Sequence, residues 1–239
     1  PLQFAPEANR IYAMTLDVAG QSPLADPEGP NNFSSNSDEG EISPQFQDSS
    51  VATIFEVDIS SLPPVSPGPT YKVVNRVVWK GISHQDLYNE VKVLADFWRV
   101  KYLVIDATGL GEGLASFLEK ALFGMVIPFR FTKKSKSDLG WKFIAVIETG
   151  RYKENPQDSL FFKEARYCDA QVLEAPNKTL VWGVPVGTRD EFTNEFVHDD
   201  AILSSALVAL LDDQSWSLSD APMVVQRADP LKEIDREGY

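Results

Sequence analysis

Apolar and polar positions along the chain alternate between two periods, and each change of period marks an element. RIYAMTLDVAG carries β-favouring residues up to Asp17 and is stopped by Gly20, which predicts a first strand. VATIFEVDI alternates, with Val51, Thr53, Phe55, Val57 and Ile59 on one face, and YKVVNRVVW follows after the proline-rich connector LPPVSPGPT. Three such runs predict an antiparallel meander. Ser83 with Asp86 three residues on opens a helix whose Leu87, Val91, Leu94 and Trp98 recur at helical spacing. YLVID is short and continuously apolar, as a central strand covered on both faces should be. Gly109, Gly111 and Gly113 then lead into a helix marked by Leu114, Phe117, Leu118, Ala121 and Leu122, and MVIPF returns to a strand. Ser135 and Asp138 suggest an N-cap before Leu139, Phe143 and Val146, with Gly150 closing that helix.

From Asn155 to Gly187 the pattern reads as strand, with SLFFKEARY and KTLVWGV as partners of a hairpin around APNK. A last helix starts near Asp199 and turns Ile202, Leu203, Ala206, Leu207 and Leu210 inward. This order of elements predicts an α/β fold: a mixed central sheet flanked by helices, with an additional hairpin. Residues 21–50 collapse into Pro, Gly, Asn, Ser and acids and read as a mobile insertion or lid. The expected organisation is one domain over residues 1–211 and a polar tail over 212–239.

The chemistry lies where apolar runs stop. Asp17 ends the first strand, Asp106 ends YLVI, and Asp199 and Asp200 open the last helix. A carboxylate at the end of an apolar strand is costly to desolvate unpaired. Acids converging from three elements repel one another unless a divalent cation neutralises them, and oxygen ligands of this type suit magnesium or manganese. Two such ions held by shared aspartates form the usual machinery for cutting a phosphodiester. Each residue also has a plainer role. Asp17 and Asp106 can cap turns with Gly20 and Gly109, and the Asp199–Asp200 pair complements a helix dipole. His198 can orient a ligand or water, or simply pair with an acid. Gly109-Leu110-Gly111-Glu112-Gly113 is not a dinucleotide fingerprint, because Leu114 stands where the final glycine belongs. The glycines are expected to let the backbone turn tightly beside the acids.

Composition narrows the setting. The 239 residues are 43% hydrophobic and 24% charged, with a single cysteine, Cys168, and two histidines, His84 and His198. Four Cys/His zinc ligands cannot be drawn from that stock, and a reducing cytoplasmic setting is the simplest expectation. No apolar run has the roughly 20 residues of a membrane span. The net charge of −13 argues against nucleic acid until its distribution is considered. Residues 130–153 carry +5, leaving −18 for the remainder. Arg130, Lys133, Lys134 and Lys136 form a basic strip able to hold a phosphate backbone, although a solvated face would look the same.

YAMTLDVAG, YLVIDATGLGEGLASFL, IPFRFTKKSKSDLGWKFIAVIETGRY and WGVPVGTRDEFTNEFVHDDAILSSALVAL together resemble the nuclease domain of the large terminase subunit of tailed bacteriophages, a ribonuclease H-like fold. The resemblance covers most of Ile11 to Leu211 outside the insertion. It implies a metal-dependent endonuclease that cuts concatemeric double-stranded viral DNA in the host cytoplasm. Asp17 would bridge two Mg²⁺ or Mn²⁺ ions, and Asp106, Asp199 and Asp200 would complete the site. It also implies an ATPase motor domain on the same full-length chain, with a small terminase subunit and a portal as partners. This chain holds no G-x-x-x-x-G-K-[ST] phosphate loop, so no motor activity is expected of it. A junction resolvase or transposase of ribonuclease H-like fold, and a non-catalytic scaffold stabilised by a cation, are the alternative readings.

Overall fold

A computed structural model describes residues 2–19, 49–60, 66–174 and 178–216. Residues 21–48 of the expected lid, 61–65 with the start of the proline-rich connector, and 217–239 of the expected tail lie outside the described residues. Ser49 and Ser50, counted above with the insertion, are buried and open the second strand.

Six strands form one mixed sheet: β1 (Ile11–Asp17), β2 (Ser49–Asp58), β3 (Thr70–Lys80), β4 (Val100–Asp106), β5 (Val126–Phe129) and β6 (Tyr152–Lys153), in the order β5-β4-β1-β2-β3-β6. β1, β2 and β3 form the antiparallel meander expected from their alternation. β4 joins β1 in parallel, and β5 joins β4 in parallel. Such pairings need crossovers, which α1 (His84–Trp98) and α2 (Gly111–Ala121) supply. β1 alternates between two cores. Tyr12, Met14 and Leu16 face Leu87, Val91, Trp98, Leu114 and Leu118 of α1 and α2, whereas Ala13 faces the opposite layer. That layer is built from α3 (Lys133–Glu148), α5 (Asp200–Ala206) and a 3-10 segment, Leu207–Asp213, with Leu139, Phe143, Val146, Leu207 and Leu211 buried. A strand with apolar side chains on both faces can only be central, and β1 sits between β2 and β4.

Two expectations from the sequence are corrected. SLFFKEARY is a helix, α4 (Ser159–Tyr167), not a strand. Asp158 starts it by accepting the Phe161 amide at 3.1 Å, and Glu164 falls on its inner face. The hairpin exists, but pairs β7 (Asp169–Leu173) with β8 (Thr179–Gly183) in a separate two-stranded sheet. The N-cap of α3 is Thr132, in a reciprocal capping box with Ser135, so the helix begins earlier than Ser135 and Asp138 suggest. Lys133, Lys134 and Lys136 therefore stand in its first turn. The chain continues to pack as far as Trp216, which is buried against Tyr102.

Candidate metal centre

Parallel pairing brings the first two acids together. Leu16 of β1 is in register with Ile105 of β4, so Asp17 and Asp106 follow side by side at the carboxyl ends of adjacent strands. Neighbouring strands lie about 4.8 Å apart, which leaves two carboxylates little room to ignore each other. Open α/β sheets gather ligands at this edge.

The turn after β4 fixes Asp106. Its carboxylate accepts the Thr108 amide at 2.8 Å, and the Thr108 hydroxyl accepts the Phe131 amide at 2.8 Å. Gly109 takes φ +54°, and a Cβ on Gly111 would overlap the Asp106 carbonyl oxygen. These two glycines allow the tight return into α2, as expected; Gly113 has open space around it.

Asp199 and Asp200 arrive from the start of α5. Asp200 accepts the Ser49 amide of β2 at 3.1 Å, and Asp199 meets the Lys136 ammonium of α3 at 3.3 Å. Lys136 is held over the Trp182 ring at 5.4 Å, while the Trp182 indole N–H donates to the Lys136 carbonyl at 2.7 Å. Gly183, at φ +134°, gives way to this pair. A Cβ there would overlap Asp199 Oδ2 and stand 3.2 Å from Lys136 Nζ.

The electrostatics show that the other three acids act on Asp17. Burial holds the Asp17 carboxyl well above the usual range, and the charges of Asp200, Asp106 and Asp199 push it further up. Lys136 opposes them. Asp106 is also raised by burial, against the lowering effect of its Thr108 hydrogen bonds. Asp17 and Asp106 are 6% and 7% exposed, whereas the Asp199 side chain keeps 22%, so the centre opens to solvent on the α5 side.

Sequence reasoning missed Glu164. It is 2% exposed on α4, and its Oε2 accepts the amides of Ala201 at 2.9 Å and Ile202 at 3.0 Å. Burial pushes its carboxyl up to about 8, with Asp200 and Asp199 contributing against the two amide hydrogen bonds. The mistaken strand reading of SLFFKEARY hid it. Helical spacing would have placed Leu160 and Glu164 on one face, four residues apart.

The donor set fits a divalent cation: oxygen ligands only, an excess of negative charge, and a buried acid whose ionised form burial and its neighbours oppose. Among the described residues no three His, Cys, Asp or Glu side chains are already closed to metal-ligand spacing. Against the three acids that act on Asp17, Lys136 supplies a countercharge. Of the basic strip, Lys136 reaches the centre, Arg130 pairs with Glu112, and Lys134 pairs with Asp138 one turn along α3.

Residues 59–177 match the family described as Terminase RNaseH-like domain. Over that stretch the chain belongs to the terminase RNase H-like family. It is 31% identical over 88 residues to the protein named terminase, ATPase subunit, of Escherichia phage P2. It is 27% identical over 89 residues to the probable terminase, ATPase subunit, of Haemophilus phage HP1. Each alignment takes in 37% of this chain and 15% of the relative, so the chain spans a small part of those proteins. Among solved structures, the large terminase nuclease of thermophilic phage G20c with bound cobalt superposes with a TM-score of 0.56 at 18% identity, over 86% of this chain and 84% of that one. The magnesium-bound form of the same nuclease gives 0.55 at 18% identity, over 86% and 84%. The Thermus phage P74-26 large terminase nuclease domain gives 0.52 at 16% identity, over 90% and 87%. These likenesses establish the fold, the mixed sheet flanked by helices expected from the sequence.

Proposed function

We propose that this domain is the metal-dependent endonuclease of a large terminase, cutting concatemeric double-stranded viral DNA during genome packaging in the host cytoplasm. The observation that carries the reading is the in-register placement of Asp17 beside Asp106, with Asp199 and Asp200 acting on the same buried carboxylate. Asp17, Asp106, Asp199 and Asp200 would hold two Mg²⁺ or Mn²⁺ ions. When bound, the ions supply Lewis acidity to the attacking water and to the leaving oxygen of the phosphodiester. Asp17, the acid on which the other three act, would be the most central of these ligands. Lys136, beside Asp199, would be placed to meet a phosphate oxygen of the substrate.

The first turn of α3 supports a DNA backbone contact. Lys133, Lys134 and Lys136 stand at a helix N-terminus with no acid in that turn, an arrangement the helix dipole disfavours on its own. A phosphate there satisfies both the dipole and the lysines, and Arg130 lies just ahead of them. Contacts of this kind position the duplex without reading its sequence. By kinship with the phage terminases, an ATPase motor on the full-length chain, a small terminase subunit and a portal are the partners.

Plasmid cleavage with magnesium, with manganese and with EDTA, beside an Asp106→Ala variant, tests the reading. Nicking and linearisation that need the metal and vanish in the variant are expected. Cleavage that survives EDTA, or an undiminished Asp106→Ala enzyme, would overturn it. Binding of metal that raises thermal stability, with no cleavage of DNA, would favour the scaffold reading.

A further inference from the structure

Asp199 occupies the N-cap of α5 without capping it. An N-cap aspartate ordinarily accepts the amides two or three residues ahead. Here the Asp199 side chain makes no cap hydrogen bond, and its backbone, at φ −114° and ψ 19°, is outside the extended region of a self-capping residue. The amides in question belong to Ala201 and Ile202, and both are taken by Glu164 from α4. Asp199 instead faces Lys136.

From this exchange of partners we infer that Glu164 is a positioning residue: it caps α5 in place of Asp199 and thereby keeps the Asp199 carboxylate turned toward the metal centre. The inference rests on the metal-centre reading above. Two orphan amides at a buried helix start demand an acceptor, and two carboxylates compete for them. Whichever carboxylate wins leaves the other for the cation. Glu164 wins because α4 is anchored to the sheet through Arg76 of β3. Its N-cap Asp158 is paired with the buried Arg76, which also donates to Ser205 of α5 at 2.7 Å. The two helices are thus tied to one guanidinium, and the Glu164 side chain spans the gap between them. Without it, Asp199 as N-cap residue is the acceptor that helix geometry supplies, and satisfying its own helix draws it out of the centre.

Two measurements on the whole chain test this. Isothermal calorimetry with manganese alone, on wild type, Glu164→Ala and Glu164→Gln, reads the consequence for the centre. Glutamine keeps an acceptor oxygen at the same reach, so Glu164→Gln should bind within about twofold of wild type, while Glu164→Ala should lose about tenfold or more. Equal losses in both variants would make Glu164 a direct ligand and overturn the inference. Undiminished binding by Glu164→Ala would overturn it too.

Amide exchange at Ala201 and Ile202, read without metal, tests the capping itself. Each single variant, Glu164→Ala and Asp199→Ala, should leave one acceptor and change exchange little. The double variant should exchange about fivefold faster or more than either. Independent, additive effects would overturn the inference. A wild-type protein that binds no manganese would remove the nuclease reading, and the exchange data would still decide whether Glu164 and Asp199 compete for the helix.

Discussion

Gly183 lies against Asp199, and the contact leaves no space for a side chain: a Cβ on Gly183 would overlap Asp199 Oδ2. Its φ of +134° is also one that L residues rarely adopt. The hairpin strand β8 therefore passes the acidic cluster with its backbone. Gly183→Ala should cost about 1–3 kcal/mol through backbone strain. It should also weaken manganese binding by about 10–100-fold, because Asp199 must move. Calorimetry on the folded fraction checks the second effect separately from the first, and unchanged affinity would show that Asp199 is not held by this contact.

Asp17 is under stress in the metal-free protein. Burial and three neighbouring carboxylates all oppose its ionised form. Asp17→Asn keeps the shape and removes the charge, so in EDTA it should raise the melting temperature by about 2–4 °C, equivalent to roughly 1 kcal/mol. Cleavage should be abolished and stabilisation by magnesium lost. Paired thermal melts with EDTA and with magnesium check this; a variant that is less stable in EDTA and still stabilised by magnesium contradicts it.

Much of this was written in the sequence because strands announce their ends. Asp17 and Asp106 were legible as acids closing apolar runs, and parallel pairing set them side by side at one sheet edge. The helix-opening pair Asp199–Asp200 was equally plain. Glu164 was not, because aromatic residues in SLFFKEARY favour a strand on propensity alone and its helix depends on tertiary anchoring of Asp158 by Arg76. Lys136 could be read as basic, but its place beside Asp199 depends on Trp182 and Gly183, more than forty residues away in the chain. Long-range packing of this kind leaves no local periodicity to read.

Stability without metal should fall as pH rises. The folded-state value of Glu164 is raised from an ordinary 4.5 to about 8, so its favourable contribution is complete below 4.5 and is lost as pH climbs through about 8. Asp17 acts with the same sign, from about 3.8 upward. Groups held low, Asp58 and Asp190, finish titrating beneath this window. Urea unfolding in EDTA at pH 5, 6.5 and 8.5 should therefore show declining stability, and Glu164→Gln should decline less. Saturating magnesium should flatten the curve for the wild type, since the ion supplies the missing countercharge. A wild-type stability that rises across this range in EDTA would contradict the assignment.

Arg76 is the buried tie between the sheet and the two helices that carry the site. Its side chain is 3% exposed, and the guanidinium reaches Thr53 of β2 at 3.1 Å, Ser205 of α5 at 2.7 Å, Glu154 at 3.2 Å and Asp158. The Phe161 ring lies 5.3 Å away beneath it. Removing the cation leaves two buried carboxylates without their partner, a change that costs about 3–5 kcal/mol. Arg76→Ala should therefore unfold at much lower urea. Arg76→Lys should recover little, because one ammonium cannot address four acceptors spread over that span. The metal centre should suffer beyond the loss of stability, since α4 and α5 lose their common anchor and Glu164 no longer meets Ala201 at a fixed distance. Manganese affinity of the folded Arg76→Lys protein distinguishes the two effects: wild-type affinity in a merely destabilised protein would confine Arg76 to the fold, and weaker binding would place it in the support of the site.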